Sequence, residues 1–279
     1  MQDQKESTAT MYTLGHAPKE IQRLMTQGHL LSPFTQRMLV DAGITKGMKV
    51  LDIGCGPGDV SLIAAELVGE TGSVLGVDMN TSVLQVAQAR AQAAGLKHVS
   101  FLARNVSEYI PDQEYDAIVG RLILLYVPDH IAVLRRLLRH LRPGGVVAFQ
   151  EYDLSPRLEL FYPPSPLTEY LWSLVTQSFQ RTGAELQMGL KLSGALQEAG
   201  LPKPHLRCEI AMGSGPEWAG YEVLADVVRA VLPLIVKFGL ATAEEIEIET
   251  LADRLREQNI SQQGVARMPA LISAWTRRD

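Results

Sequence analysis

The chain has 279 residues, enough for one large domain or for a domain with an added cap, and a chain of this length buries a core without covalent cross-links. Its formal net charge is −5 at pH 7 and its Lys and Arg residues form no extended run, which argues against a nucleic-acid-binding surface. No segment reaches the roughly 18 consecutive apolar residues of a membrane span. These features predict a soluble cytoplasmic protein with neither a membrane nor a nucleic-acid partner.

Two helices are predicted ahead of residue 44. The first begins at Pro18, since proline is favoured in the first helical turn. The second has Ser32 as its N-cap and Pro33 in its first turn, and it ends at Gly43. These helices form a predicted N-terminal cap.

A glycine-rich stretch follows and is the most informative part of the sequence. Residues 49–53 form a short apolar run typical of a buried parallel strand. Gly54, Gly56 and Gly58 then alternate with other residues, and residues 59–68 carry apolar side chains at helical spacing. Glycines allow a ligand to touch the backbone, and the helix start offers free N–H groups. The stretch predicts a ligand-binding turn between a strand and a helix.

A second buried strand, at residues 73–77, ends in Asp78. A carboxylate at this place can bind both hydroxyls of a ribose, which indicates a nucleoside-containing cofactor. A dinucleotide motif would require a third glycine where Asp59 stands. Because an acid is repelled by a pyrophosphate but not by a cationic group, the sequence favours a cationic nucleoside cofactor.

At these residues the chain resembles the class I S-adenosylmethionine-dependent methyltransferases. Their first motif is similar to V-L-D-x-G-C-G-x-G, and an acidic residue ends their next strand; the resemblance extends over about residues 45–153. It implies S-adenosylmethionine as cofactor and an α/β, Rossmann-like, seven-stranded, mostly parallel sheet with helices on both faces. The implied domains are an N-terminal helical cap at 1–44, a cofactor-binding core at 45–155, and substrate lid helices with the final strands at 156–279.

The resemblance also implies which residues contact the cofactor. Asn105 stands where the family places an acid that accepts a bond from the adenine amino group, and its amide oxygen can accept the same bond without charge. Met79 is expected against the adenine face or, equally, as core filler. The full set of implied cofactor residues is Asp52, Gly54, Cys55, Gly56, Gly58, Asp78, Met79, Asn105, Val106 and Arg121.

The rest of the chain reads as alternating strands and helices, followed by a more helical C-terminal part. Helices are predicted at about 81–94 and 129–141, and strands at 99–103, 115–119 and 146–150. After a proline-rich loop come an aromatic-rich helix, a helix at 190–199, a strand at 204–211, helices at 217–238 and 243–258, and a last strand at 270–275. Four aromatic residues could line a substrate lid, and ordinary core packing is the alternative for each of them: Trp172, Phe179, Trp218 and Tyr221.

Five residues are candidates for catalysis or substrate contact. Tyr126 falls near a position that the family often gives to His, and it is either a pocket wall or weak base or an ordinary packing residue. Glu151 and Asp153 follow the fifth strand, at the sheet edge where ligands bind, and one of them could act as a base; the alternative is a solvated loop. In small-molecule members the N-terminal segment often closes over the cofactor, which makes Tyr12 and His16 further candidates.

The predicted activity is methyl transfer from S-adenosylmethionine to a small aromatic or apolar metabolite, in natural-product tailoring and including C-methylation of an aromatic carbon such as that of indole. A nucleic-acid or protein methyltransferase is one alternative, although residues 120–123 lack the N/D/S-P-P-Y/F motif of nucleic-acid amino methyltransferases. A scaffold that binds the cofactor without methylating is another. No Cys/His cluster with metal spacing occurs, so no metal is expected. The expected form is a monomer or homodimer.

Overall fold

The computed structural model describes residues 18–279, and its centre is a seven-stranded sheet. The strands of this sheet are β1 (Lys49–Ile53), β2 (Ser73–Asp78), β3 (Val99–Ala103), β4 (Tyr115–Arg121), β5 (Leu141–Tyr152), β7 (His205–Glu209) and β10 (Leu271–Arg277). Their order is β3-β2-β1-β4-β5-β10-β7, and only β10 runs antiparallel to its neighbours. This confirms the predicted seven-stranded, mostly parallel α/β sheet.

Helices cover the sheet and extend into a layer formed by the C-terminal half of the chain. They are α1 (Pro18–Asp41), α2 (Asp59–Val68), α3 (Thr81–Ala93), α4 (His130–Leu138), α5 (Pro166–Arg181), α6 (Met188–Glu198), α7 (Gly220–Lys237), α8 (Ala243–Ile246) and α9 (Leu251–Ser261). A 3₁₀ turn spans Leu124–Tyr126. Buried apolar residues fill both sides of the sheet, so the strands read as continuous apolar runs.

The register of the central strands determines where a ligand can bind. Strand β1 pairs in parallel with β2 and with β4, and Ile53 lies opposite both Val77 and Gly120. The carboxyl ends of these three strands therefore meet at one edge of the sheet. The strand order reverses direction between β1 and β4. Ligands in open α/β sheets bind at such a switch point.

A second, three-stranded antiparallel sheet was not predicted from the sequence. It consists of β6 (Phe161–Tyr162), β8 (Met212–Gly213) and β9 (Val265–Arg267), in the order β6-β9-β8. Its strands have two or three residues each and come from distant parts of the chain. Such short segments have too few residues to show an alternating pattern.

The N-terminal prediction of two helices is wrong. Helix α1 is continuous and contains Pro33, and the Ser32 hydroxyl donates to the Gly28 carbonyl at 2.8 Å instead of capping a new helix. Leu31, Met38 and Leu39 are buried along its length, so packing of one long face outweighs the backbone bond that proline removes. Gly43 follows with φ of +86°, as expected for a helix stop.

The predicted helix at 243–258 is divided. Thr242 and Glu245 form the expected capping box at the start of α8, but Glu247 adopts φ of +53° and ends that helix after one turn. The chain restarts as α9 at Leu251. The break buries Ile246, Ile248 and Leu251 together, which a single straight helix would not allow.

Helix α1 approaches α2 closely at one glycine. A Cβ atom added at Gly28 would lie 2.1 Å from Oδ2 of Asp59, the first residue of α2. The Asp59 carboxylate cannot move aside easily, because it forms ion pairs with Arg90 at 2.7 Å and Arg121 at 3.2 Å. Gly28 is therefore required for the contact between the two helices.

We predict that Gly28→Ala lowers the free energy of unfolding by roughly 1–3 kcal/mol, the usual cost of overpacking, although alanine favours helix by about 1 kcal/mol. The matched control is Gly194→Ala in α6, where a Cβ atom would meet nothing within 4 Å. The control should be neutral or more stable than the native chain in urea unfolding. Equal stability of the two variants would contradict the proposed helix contact.

Candidate functional site

The turn after β1 exposes its backbone at the switch point of the sheet. Gly54, Gly56 and Gly58 all have positive φ, at +66°, +52° and +88°, in the region that glycine adopts without strain. A Cβ atom at Gly56 would meet no heavy atom within 4 Å, so this residue faces open space. At Gly54 a Cβ atom would collide with Ile123 at 2.5 Å, so the turn after β4 packs directly on the glycine backbone.

Asp78 holds this turn in place. Its Oδ2 accepts a hydrogen bond from the Gly56 N–H at 3.0 Å, and its Oδ1 accepts one from the Asn80 N–H at 2.9 Å. Desolvation by burial raises the pKa of Asp78, and the backbone N–H groups of Asn80, Gly56 and Met79 act in the opposite direction. A carboxylate has about four lone-pair positions, so Asp78 keeps acceptor capacity for a ligand.

Asp59, which replaces the third glycine of a dinucleotide motif, is neutralised within the protein. It lies in the first turn of α2 and is paired with Arg90 and Arg121. Arg121 also donates to Oγ1 of Thr35 at 2.9 Å, and that hydroxyl donates to Gln150 at 2.7 Å. This buried chain of hydrogen bonds connects the site to α1 and β5.

A single cavity joins the glycine turn to the helices of the C-terminal half. One side of the cavity, which we call the cofactor side, is formed by the glycine turn, Asp59, Asp78 and Arg121. Its other side is mainly apolar, and the empty space is about 1090 Å³ when the mouth to solvent is included. The residues of that other side include Leu24, Ile123, Leu125, Leu154, Trp172, Val175, Phe179, Leu224, Val227 and Met268.

Two of the four aromatic residues predicted to line a lid do line this cavity. Trp172 and Phe179 of α5 contribute to the apolar wall, and Phe179 lies 6.2 Å from Tyr126 between ring centroids. Trp218, which precedes α7, and Tyr221, in the first turn of α7, instead pack edge to face at 4.9 Å against the core, and Tyr221 is fully buried. Neither belongs to the described cavity lining, so for these two residues the alternative of ordinary packing is correct.

Tyr126 is the catalytic candidate that the structure places in the cavity, where it lines the wall next to Phe179. Tyr12 and His16 lie outside the described residues. Asp153 does not belong to the described cavity lining, and its Oδ1 accepts from the backbone N–H and the hydroxyl of Ser155. A substrate contact at Asp153 stays a prediction.

Glu151 lies outside the described cavity lining, beneath the turn that follows β4. Its side chain is fully buried, and its Oε1 accepts from the N–H groups of Ile123 at 2.9 Å and Leu124 at 2.6 Å. It thereby holds the turn that carries Leu122, which has a strained φ of +55°. Strand β5 directs this side chain under the turn and outside the described cavity lining, and a substrate contact or general base at Glu151 stays a prediction.

Burial of Glu151 raises its pKa to about 8, while the N–H groups of Leu124, Ile123 and Leu125 act in the opposite direction. Asp52 behaves similarly, with a pKa raised to about 7 by burial, and its Oδ2 accepts from the Ser61 hydroxyl at 2.5 Å. Asp52 lies beneath the cavity and joins β1 to α2 instead of lining the described wall. It therefore supports the glycine turn from the interior of the protein.

The remaining predicted cofactor residues surround the carboxyl ends of β2 and β3. Cys55 lines the cavity, and burial raises the pKa of its thiol. Met79 follows Asp78 and is 47% exposed, so its side chain is available at the cavity rim rather than in the core. Asn105 accepts from the Ser107 N–H at 2.9 Å, and Val106 is buried beside it.

Sequence reasoning missed three polar residues of the cavity. Tyr152 of β5 lines it directly, between Glu151 and Asp153 in the sequence, and Arg23 and Gln27 of α1 also line it, with Arg23 donating to Gln27 at 2.9 Å. The Tyr152 hydroxyl is buried and makes no hydrogen bond of good geometry with any of residues 18–279. Alternation along β5 separates Tyr152 from Glu151, but only the strand register shows which of them faces the ligand.

Among residues 18–279, no helix is both long and apolar enough to cross a bilayer. In the same part of the chain, no group of three or more His, Cys, Asp or Glu side chains is arranged to hold a metal ion. Both cysteines are free: Cys55 is buried and Cys208 is exposed.

The glycine turn, the acid that ends β2 and the switch-point cavity form the arrangement with which Rossmann-like folds bind nucleosides. A family model described as "Methyltransferase domain" matches residues 44–189, just over half of the chain. The chain therefore belongs to this family. The match confirms the predicted enzyme class and, with it, S-adenosylmethionine as the cofactor.

Among curated proteins, the chain is similar to the demethylmenaquinone methyltransferase of Staphylococcus aureus strain MRSA252. The two are 33% identical over 127 residues, which is 45% of this chain and 52% of that protein. The same enzyme from strain JH9 is 32% identical over the same length. The chain thus spans about half the length of the curated relatives it matches.

Solved structures share the fold. An S-adenosylmethionine-dependent methyltransferase from Aquifex aeolicus has a TM-score of 0.52 at 21% identity, over 70% of this chain and 92% of that one. The YcgJ protein from Bacillus subtilis has a TM-score of 0.56 at 17% identity, over 88% and 100% of the two chains. The [4+2]-cyclase SpnF has a TM-score of 0.53 at 16% identity, over 88% and 81%. At these identities the likeness shows the fold alone.

We predict that Glu151→Gln flattens the pH dependence of stability. The folded pKa of Glu151, about 8, lies above its ordinary value of 4.5, so the folded state keeps a proton that the unfolded state releases. Glu151 therefore lowers stability progressively as the pH rises through that window. The difference in melting temperature between the variant and the native chain should grow in favour of the variant from pH 5 to pH 9. Each kcal/mol of unfolding free energy corresponds to roughly 2–4 °C of melting temperature.

The matched control for this prediction is Glu198→Gln, an exposed carboxylate at the end of α6. Melting temperatures of the control should follow those of the native chain at every pH. A constant offset between Glu151→Gln and the native chain from pH 5 to pH 9 would contradict a buried, protonated Glu151.

Proposed function

We propose that the protein transfers a methyl group from S-adenosylmethionine to a small, largely apolar aromatic acceptor. The observation that carries this proposal is the single cavity, which has a glycine turn and Asp78 at one side and a wall of apolar and aromatic side chains at the other. A methyl donor and an acceptor bound in one cavity can be aligned and shielded from water.

The cofactor side has the features that S-adenosylmethionine requires. The open backbone at Gly56 would permit close approach of the nucleoside, and the remaining lone pairs of Asp78 would accept from the ribose hydroxyls. Asn105 and Met79 are the proposed adenine contacts, at the ends of neighbouring strands. When bound, the cofactor supplies an electrophilic methyl group on a sulfonium. The protein's task is to hold the acceptor in line with it.

The acceptor side of the cavity favours substrates whose methylation needs little help from a general base. The carboxylates of the described cavity lining, Asp59 and Asp78, both lie on the cofactor side. Tyr126 and Tyr152 contribute hydroxyl groups to the same lining, and Arg23 and Gln27 contribute a guanidinium and an amide group. An electron-rich aromatic carbon, such as one of indole, reacts with less help from a base than a neutral hydroxyl does, and aromatic walls stabilise the cation that forms. The proposal therefore includes aromatic C-methylation in natural-product tailoring.

The named relatives fit this proposal without deciding the acceptor. The Staphylococcus aureus enzymes are named for demethylmenaquinone. Methylation of nucleic acid or protein is the first alternative, and it is disfavoured by the mainly apolar acceptor side. The second alternative is a cofactor-binding scaffold with another reaction, since a structure with the same fold is named as a cyclase.

The purified protein should convert S-adenosylmethionine to S-adenosylhomocysteine when it is mixed with a panel of indoles and hydroxylated aromatic compounds. Mass spectrometry identifies the methylated product and the methylated atom. Product formation with DNA, RNA or protein alone would support the first alternative. Tight cofactor binding with no S-adenosylhomocysteine from any acceptor would support the scaffold and contradict the proposal.

We predict that Asp78→Ala weakens binding of S-adenosylhomocysteine by roughly 10- to 150-fold, since a hydrogen bond to a charged group contributes about 1.5–3 kcal/mol. Calorimetric titration measures the change, and Asp112→Ala, at an exposed loop position, is the control. Circular dichroism shows whether the variant remains folded. Unchanged affinity in a folded Asp78→Ala variant would remove Asp78 from the ribose-binding role.

A further inference from the structure

A second apolar chamber adjoins the acceptor side of the cavity, between α5 and α7. It contains about 340 Å³ of empty space, counting its opening. Ten residues line it: Leu160, Phe161, Thr168, Leu171, Trp172, Val175, Leu224, Val227, Val228 and Leu255. Trp172, Val175, Leu224 and Val227 also line the main cavity. One layer of shared side chains therefore separates the two spaces, and we call the second one the side chamber.

The described lining of the side chamber offers no free side-chain hydrogen-bond donor to a ligand. Thr168 carries its only hydroxyl among the described lining residues, and that group donates to the Ser165 carbonyl at 2.9 Å. The Trp172 indole N–H donates to the Ser155 carbonyl at 3.0 Å. Because these polar groups already have partners, a polar substituent would lose its water without replacement, whereas an alkyl group would gain from burial.

The shared side chains differ in how firmly they are held. Trp172 is 6% exposed and is anchored through its indole N–H, so it forms a fixed wall. Val227 is only half-buried and is small enough to change the width of the passage by a side-chain rotation. An acceptor placed against Trp172 in the main cavity thus lies next to the side chamber.

We propose that the side chamber binds a flexible aliphatic substituent of the methyl acceptor, so that the substrate class is an aromatic ring carrying a nonpolar chain. This inference rests on the proposed function only in placing the ring in the main cavity. The ring lies against the aromatic wall near Tyr126, and the chain passes Val227 towards Phe161 and Leu255.

The test uses direct binding of 4-alkylphenols with two, five and eight chain carbons to the full chain saturated with S-adenosylhomocysteine. Calorimetric titration gives the affinities without any need for turnover. We expect the affinity of the native chain to rise at least tenfold from the two-carbon to the eight-carbon compound, because each buried methylene adds to binding.

Two variants fill the side chamber from opposite walls without changing the main cavity. Val228→Phe acts from α7 and Leu171→Phe acts from α5, and neither residue lines the main cavity. Each should abolish the gain with chain length while leaving the two-carbon compound and S-adenosylhomocysteine bound as before. The matched control is Val236→Phe, on the same helix as Val228 but 52% exposed. It should behave as the native chain does.

The outcomes separate this inference from the proposed function. Loss of S-adenosylhomocysteine binding in the native chain would count against the cofactor site and therefore against both. Intact cofactor binding with no dependence on chain length would overturn the side chamber alone. A folded Val228→Phe or Leu171→Phe variant that keeps the full increase in affinity with alkyl chain length would also overturn the side-chamber proposal.

Discussion

The hydrogen bond from the Gly56 N–H to the Asp78 carboxylate is the interaction on which the site depends. It ties the turn after β1 to the end of β2, and it holds a left-handed glycine backbone open towards the cavity. The parallel register of β1 and β2 brings the two segments together, and burial of the carboxylate strengthens the bond. It adds to the hydrogen bonds that the Gly54 and Cys55 N–H groups donate to the Val77 carbonyl at 2.7 and 3.1 Å.

A second set of buried polar groups supports that turn from outside the ligand path. Asp59, paired with two arginines, places the start of α2 against Gly28 of α1, and Arg121 extends the contact through Thr35. Glu151 holds the following turn by two backbone N–H groups. The two carboxylates therefore differ in position: Asp78 faces the cavity, and Glu151 holds the turn after β4.

Local sequence signals were sufficient for the glycine turn, for most strands and for the sheet, because glycine spacing and apolar runs act over a few residues. They were insufficient where contacts between segments far apart in the sequence determine the structure. Burial of one long face keeps α1 continuous through Pro33, and the second sheet joins segments separated by about fifty residues or more of chain. Tyr152 rather than Glu151 faces the cavity because pairing with β10 sets the direction of each side chain.

The central claim is that the cavity at the glycine turn binds S-adenosylmethionine through Asp78. The most direct measurement is a calorimetric titration of the purified chain with S-adenosylhomocysteine, followed by the same titration in the presence of excess NAD⁺ or ATP. The account predicts saturable binding at one site per chain that neither nucleotide displaces. No heat with S-adenosylhomocysteine, together with saturable binding of NAD⁺ or ATP, would contradict it.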